Sequence, residues 1–236
     1  MMNNIVSLFT FDYDRETQLV PAVALFLAPI ISINLLGVKV GSAIGTTIGG
    51  ISLGAIVSIL TTRLIRDQGK SFARRYFKGY PTTVTSLRLR ENAGYLVDQR
   101  RAKLEALTGV NLLTKRQEIA KPGDADQRLQ HVTDSVRDMM RDQKKFPILW
   151  RELKSYGYWR NMLAIKPWGI ALSILSVLAP MAVMLILPHG HRSLQCVAIL
   201  AGVAGLSFWT IGVRRKRFIA ASDRYADEFF RGIFQL

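Results

Sequence analysis

The sequence is poor in the residues that build disulfide or zinc sites. It has one cysteine, Cys196, and three histidines in 236 residues. A single cysteine excludes a disulfide within the chain and any zinc site that needs several thiolates. Acidic residues are also scarce, with 17 Asp+Glu against 32 Lys+Arg, while 49% of the residues are hydrophobic. A formal net charge of +15 beside that apolar content excludes a disordered basic tail and argues against an ordinary soluble enzyme.

The chain also lacks the short motifs of common enzymes. It contains no P-loop, no GxGxxG after a strand, no GxSxG and no HExxH. His131 stands alone on a polar helix face. His189 and His191 fall in a predicted turn, where an exposed histidine is more usual than a metal ligand. We therefore expect no enzyme activity, no cofactor and no metal site.

What the chain does have is four uncharged stretches, each long enough to cross the hydrocarbon core as a helix. They cover residues 19–36, 40–62, 168–187 and 193–213. Asp12, Asp14 and Glu16 precede the first stretch, whereas a signal peptide begins with positive charge, so we expect no cleaved leader. Apolar residues are thus concentrated in spans, and the basic residues lie between them.

The distribution of positive charge predicts the orientation of these spans. Residues 63–166 hold 23 Lys+Arg and 11 Asp+Glu, and residues 214–236 hold 6 Lys+Arg. The two short connections hold one basic residue each, Lys39 and Arg192. The positive-inside rule then places both termini and the long middle segment in the cytoplasm of a multi-pass membrane protein.

The predicted fold class is an all-α membrane protein, with two transmembrane hairpins flanking a small, basic, helical cytoplasmic domain. Its parts are a cytoplasmic tail (1–18), hairpin 1 (19–62), the basic helical domain (63–166), hairpin 2 (167–213) and a cytoplasmic amphipathic C-terminal tail (214–236). Within the domain we expect a helix over residues 87–107 and a loop that contains residues 115–116. A second helix is expected with Leu129, Val132 and Val136 at helical spacing, and a third, residues 148–165, runs into the membrane.

The second stretch carries a stripe of small residues. Gly41, Gly45 and Gly49 recur every four residues, and Thr46 and Ser52 add hydroxyls beside them. Such a stripe permits close helix packing, either within one chain or between copies that line a narrow pore. No span contains Asp, Glu, Lys or Arg, which argues against an ion-coupled transporter.

Seven cations in the middle segment lie further from the spans than the orientation rule requires. They are Arg88, Arg90, Arg100, Arg101, Lys103, Lys115 and Arg116. A cluster of this kind suits phosphates, because each neutralised phosphate releases counterions, and a tyrosine such as Tyr95 offers a ring on which bases stack. The alternative is a solvated basic face without a ligand. We predict a nucleotide or nucleic-acid site at these cations.

A family resemblance adds to this interpretation. Residues 144–147 (KKFP), 156–161 (YGYWRN) and 166–167 (KP) resemble small four-span bacterial membrane effectors of antiphage defence. The layout of the whole chain is similar to the membrane effector of the Hailong system. The resemblance implies a membrane channel held shut by short DNA that a partner nucleotidyltransferase makes, and membrane effectors gated by cyclic nucleotides are a second similar group. It implies no particular ligand residue.

Two functional hypotheses remain open at this point. In the first, the chain forms a homo-oligomer, for example a tetramer, that is a channel or membrane disruptor gated by a ligand, with residues 71–80 and 148–165 joining domain to spans. In the second, it is a non-conducting sensor or scaffold that recruits a cytoplasmic defence protein. Both place the chain among membrane lipids.

Overall fold

The computed structural model describes residue 13 and residues 15–37, 61–77, 84–91, 94–186 and 192–236. All regular structure in these ranges is helical, and no strand occurs in them. The all-α class is confirmed for this part of the chain. Nearly all of the second predicted span lies outside the described residues, so the arrangement of four spans stays a prediction.

The helices are numbered here in chain order. They are α1 (Val20–Gly37, after a π-helical turn at Arg15–Leu19), α2 (residues 61–76), α3 (Val84–Glu91), α4 (Tyr95–Thr108), α5 (Lys115–Ala120), α6 (Pro122–Met139), α7 (Pro147–Ile186), α8 (Arg192–Ser207, continued by a π-helical segment at Phe208–Gly212) and α9 (Arg215–Ile233).

Three of the described helices are long and apolar enough to cross a membrane. They are Glu16–Leu36, Pro147–Ile186 and Arg192–Gly212. Helix α7 has 40 residues, a length of about 60 Å at 1.5 Å per residue. Its last charged residue is Lys166, so the twenty residues after it form the apolar part. By length and composition, this is a multi-pass membrane protein.

The chain divides into two compact units. The first, which we call the span unit, contains Met1–Lys70 and Gly157–Arg217, and the second, which we call the lobe, contains Ser71–Tyr156 and Phe218–Leu236. The predicted division ended the helical domain at residue 166 and set residues 214–236 apart as a tail. The structure instead places most of α9 in the lobe, because its apolar face is buried there.

In the span unit, α1, α7 and α8 meet through small residues. A Cβ on Gly169 of α7 would overlap the indole of Trp209, and one on Gly205 of α8 would lie 2.9 Å from Ser173 Oγ and 3.0 Å from Ala28 Cβ. Trp209 is 1% exposed and belongs to the unit's core. Close backbone approach of this kind is how helices associate in lipid.

In the lobe, aromatic rings surround Phe218 of α9, which is fully buried. The ring centroids of Phe72, Tyr76 and Tyr156 lie 5.5, 5.1 and 5.8 Å from that of Phe218. Tyr225 lies two helical turns after Phe218 on α9, and its ring stacks on that of Tyr156 with 5.7 Å between the centroids. The predicted spacing on α6 is confirmed as a buried face. The tail predicted from residue 214 therefore supplies the centre of the lobe's core.

Two local expectations differ from the structure. The helix expected over residues 87–107 is divided into α3 and α4 at Gly94, whose φ of 128° is a conformation that other residues rarely adopt. The loop expected at residues 115–116 is the start of α5. Thr114 caps that helix in a capping box with Gln117, which satisfies two backbone N–H groups.

Candidate functional site

Two of the seven predicted ligand-binding cations meet at one buried carboxylate. Because Thr114 starts α5, Glu118 turns toward α4 with its side chain 4% exposed. Arg101 Nη1 lies 2.8 Å from Glu118 Oε1, and Lys115 Nζ lies 3.5 Å from Oε2. A buried carboxylate needs such partners, because its desolvation is costly.

The same two cations also hold the end of α3. Lys115 Nζ donates to the carbonyl oxygens of Leu89 and Arg90 at 2.9 and 2.8 Å. Arg101 donates to the carbonyl of Leu89 at 3.2 Å and to that of Leu113. The last carbonyls of a helix have no partner within the helix and carry partial negative charge, so cations there stabilise it. Arg101 and Lys115 are thus joined to the fold by several internal contacts.

Arg88 and Arg90 point to different helices. Arg88 forms ion pairs with Asp223, at 2.7 Å, and with Asp227, both on α9. Arg90 pairs with Asp126 on α6. Burial alone would lower the pKa of Arg88, but the hydrogen bonds and charges of the two aspartates outweigh it and raise that pKa above its ordinary value. The two arginines therefore tie α3 to two neighbouring helices.

The remaining three cations are less engaged. The guanidinium of Arg100 lies 4.4 Å from the ring centroid of Phe230, a cation–π contact. Lys103 is half-buried and Arg116 is exposed, and neither has an ion-pair partner among the described residues. The seven predicted positions thus separate into four that carry ion pairs of the lobe, one on an aromatic ring, and two whose charge is left for solvent or a ligand.

The sequence prediction missed the anions. Glu118, Asp223 and Asp227 were not assigned a role, although together they hold three of the seven cations. Glu118 follows Lys115 by three residues, and side chains at this spacing are neighbours on a helix surface. The capping-box pattern at Thr114 and Gln117 is the sequence signal that would have identified the helix. Asp223 and Asp227 are 135 and 139 residues from Arg88, so no local pattern could pair them.

The predicted pore stripe of Gly41, Gly45, Thr46, Gly49 and Ser52 lies outside the described residues. Small residues and hydroxyls do join the described spans. Ser32 Oγ of α1 donates to the carbonyl of Ser176 on α7 at 3.1 Å. An apolar cavity of about 320 Å³ lies between α1 and α8, lined by alanines and a glycine, by Leu27 and Ile31, and by Phe208 and Trp209.

Basic residues mark one end of the span unit. Lys166 Nζ donates to the carbonyl of Val213 at 2.7 Å, and Arg214 Nε donates to that of Ile211 at 2.6 Å. Arg217 lies over the Trp159 ring at 5.0 Å. Cations with an aromatic ring at helix ends are typical of a membrane–water boundary.

No protein-family model matches the chain, and comparison with curated proteins and with solved structures finds no match either. Within the described ranges, no group of three or more His, Cys, Asp or Glu side chains is placed to hold a metal ion. Function is therefore inferred from the chain's own residues.

Proposed function

We propose that this chain is a membrane effector of antiphage defence, an oligomeric inner-membrane channel or membrane disruptor with both termini in the cytoplasm. Its state is set by a nucleotide or nucleic-acid ligand that binds the lobe. The defence role rests on the resemblance of residues 144–167, and the observation that carries ligand gating is the continuity of α7. This helix supplies Glu152 and Tyr156 to the lobe, and Met162 and Ile165 to the buried core of the span unit, without an interruption between them.

Helix α7 is firmly held within the lobe. The Tyr156 ring stacks between Phe218 and Tyr225, with interplanar angles of 29° and 13°. Glu152 Oε2 accepts a hydrogen bond from Arg224 Nε at 2.9 Å. A ligand that favours one packing of α9 against α7 therefore acts on the helix that becomes a span. Such a ligand shifts the gate only by its difference in affinity between the two states.

The cytoplasmic orientation is supported by the basic end of the span unit. Lys166 and Arg214 bind the carbonyls that end the last span, and four consecutive basic residues, 214–217, follow them. Basic residues this close to span ends are retained on the cytoplasmic side. The lobe contains the segment that precedes Lys166 and the segment that follows Arg217, so it faces the nucleotides of the cell interior in this proposal.

The cations best suited to a phosphate ligand are Lys103 and Arg116. Their charges are not engaged by a described carboxylate, so a ligand would gain their attraction without breaking an ion pair of the fold. Each phosphate that they neutralise releases counterions, which makes the affinity fall as salt rises. Arg101 and Lys115 are poorer candidates, because a ligand would compete with Glu118 for them.

The proposal is tested by dye release from liposomes that contain the purified full chain. We expect release to change when a short single-stranded DNA is added and to revert on nuclease treatment. The double substitution Lys103→Glu with Arg116→Glu should remove the response and reduce the salt dependence of binding. Arg141→Glu, at an arginine whose side chain is 77% exposed, is the matched control and should respond as the parent does.

Absence of release under every condition, from protein shown to be assembled in the vesicles, would contradict the conducting function. It would favour the second candidate, a scaffold that recruits a protein. The observation behind that candidate is the exposure of apolar side chains on the lobe, with Tyr95, Leu96 and Ile119 exposed by 74%, 63% and 82%. A contiguous apolar patch is typical of a partner-binding surface, so this candidate requires that these side chains lie together. The scaffold predicts a protein partner in pull-downs and no ion flux.

A further inference from the structure

A second cavity lies in the lobe, beside Arg88. Its volume is about 240 Å³. Its walls come from α2, α3 and α9, and they combine aromatic, aliphatic, hydroxyl and charged side chains. The lining residues are Tyr76, Phe77, Val84, Leu87, Arg88, Ile219, Ser222 and Asp223. Aromatic and aliphatic walls with a few polar groups among them are typical of a small-molecule site.

The aromatic wall is fixed in place before any ligand arrives. The Tyr76 ring stacks on Phe72 at 6.1 Å and lies perpendicular to Phe77 and Phe218, each at 5.1 Å between centroids. Phe77 is 7% exposed, whereas Tyr76 is half-buried. A ring that is held on several sides offers a stacking surface at little cost in entropy.

One polar group in the wall lacks a partner. Ser222 is 2% exposed, and its Oγ has no hydrogen-bond partner among the described residues. Thr133 Oγ1, a buried hydroxyl elsewhere in the lobe, does have a partner, because it donates to the carbonyl of Leu129 at 2.8 Å. An unsatisfied buried hydroxyl costs free energy, and a native structure retains few of them. A ligand in the cavity whose polar atom reaches Ser222 Oγ would supply the missing bond, and a small rotation of the hydroxyl would be needed to expose it.

The charge around the cavity excludes a phosphate. Arg88 is paired with both Asp223 and Asp227, so the three side chains together carry a formal charge of −1. A phosphate would be repelled by this group, and would have to displace an aspartate to reach the guanidinium. A neutral ring is not repelled, and Asp223 can accept a hydrogen bond while Ser222 can either donate or accept one.

We propose that this cavity binds the neutral heteroaromatic ring of a nucleobase, stacked on Tyr76, with its hydrogen-bonding edge toward Ser222 and Asp223. The volume is below the usual range of about 300–1,000 Å³ for drug-sized ligands, so it holds one ring system and leaves sugar and phosphate outside. This proposal rests on the proposed function, because the nucleobase would be part of the ligand that sets the state of the channel.

The test uses calorimetric titration of the full-length protein in detergent with four nucleosides, namely adenosine, guanosine, cytidine and uridine. Ribose 5-phosphate is the control that carries phosphate and no base. We expect at least one nucleoside to bind and ribose 5-phosphate neither to bind nor to compete. Ser222→Ala should weaken nucleoside binding about tenfold, the effect of losing one buried hydrogen bond.

Two further measurements keep the result interpretable. Ser222→Ala should leave the melting temperature unchanged or raise it, because it removes an unsatisfied hydroxyl and no bond. Ile219→Trp, at a position 38% exposed in the cavity wall, should fill the space and abolish binding. The proposal is overturned if no nucleoside binds the parent protein, or if both variants bind as the parent does.

The nucleoside titration and the dye-release test can fail independently of each other. If DNA changes dye release equally in the parent and in Ser222→Ala, ligand gating is supported and the cavity is not the site where the gating ligand binds. If nucleosides bind in the expected way but no condition produces dye release, the cavity is a nucleobase site and the conducting function is contradicted.

Discussion

The span unit and the lobe are both helical, but different contacts hold them. In the span unit, Gly169 and Gly205 bring helices close together, and Ser32 bonds to a neighbouring helix. In the lobe, aromatic rings pack around Phe218, and the buried carboxylate of Glu118 forms ion pairs with two cations. The difference follows from the surroundings. Lipid is as apolar as leucine, so helices within it gain from close packing and hydrogen bonds, whereas water drives aromatic side chains together.

In both units, a lysine donates hydrogen bonds to carbonyl oxygens at the end of a helix. In the span unit, Lys166 binds the carbonyl of Val213. In the lobe, Lys115 binds the carbonyls of Leu89 and Arg90 at the end of α3. Each cation satisfies orphan oxygens at a helix C-terminus. Basic residues of this chain therefore have structural roles, and a count of positive charge overstates the number that are left for a ligand.

The largest expected effect is the loss of the ring at the centre of the lobe. Phe218→Ala removes a fully buried side chain that contacts four other rings. We expect it to lower the free energy of unfolding by about 3–5 kcal/mol. Limited trypsin digestion should then cut the lobe faster at its many Lys and Arg residues.

Phe234→Ala is the matched control, since Phe234 lies near the same end of the chain and is 54% exposed. It should leave the digestion pattern as in the parent. Equal digestion of Phe218→Ala and the parent would mean that α9 is not part of the lobe's core.

A smaller loss is expected for the buried ion pair. Arg101→Ala would leave Glu118 with Lys115 alone, at 3.5 Å. Removing one partner of a buried ion pair costs about 3–5 kcal/mol when the remaining charge is left alone, and Lys115 offsets part of that cost here. Arg116→Ala, at an exposed cation one residue after Lys115, should change stability by less than about 0.5 kcal/mol. Thermal melts of the two variants distinguish a structural cation from a free one, and similar melts would contradict the assignment.

The lobe shows which features of the fold a sequence pattern can predict. The spacing of Leu129, Val132 and Val136 correctly predicted the buried face of α6, because helical periodicity is a local property. The amphipathic character of residues 214–236 was also recognised. The pattern could not say what that apolar face contacts, since Phe218 meets rings on α2 and α7 that lie far away in sequence.

The candidate site was less predictable for a related reason. The cations were identified from their number, but whether a cation is free depends on carboxylates brought to it by folding. Arg88 and Asp223 are 135 residues apart, and only the packing of α3 beside α9 joins them. The cavity at Ser222 depends on the same packing, so its residues carry no motif.

A moderate effect is expected in the span unit from one added methyl group. Gly169→Ala would place a Cβ into the indole of the buried Trp209, so the ring or a helix backbone would have to shift. Overpacking of this kind costs about 1–3 kcal/mol. Gly123→Ala is the matched control in the lobe, because nothing lies within 4 Å of its added Cβ. Melts in detergent should show a lower transition for Gly169→Ala only, and an unchanged melt would contradict the close approach of α7 to Trp209.

The smallest effect is expected at the surface of the lobe. Arg141 pairs with Asp138 at 3.1 Å on side chains that are 77% and 64% exposed. Water and salt screen such a pair, so Arg141→Ala should cost only about 0.2–0.5 kcal/mol, and less as salt is raised toward 1 M. Arg101→Ala is the same substitution in the same unit, but it removes the partner of a buried carboxylate and two hydrogen bonds to backbone carbonyls, whereas Arg141→Ala removes an exposed ion pair. A salt-independent loss at Arg141 as large as that at Arg101 would show that burial does not set the strength of the lobe's ion pairs, and the separation of its cations into structural and free ones would no longer hold.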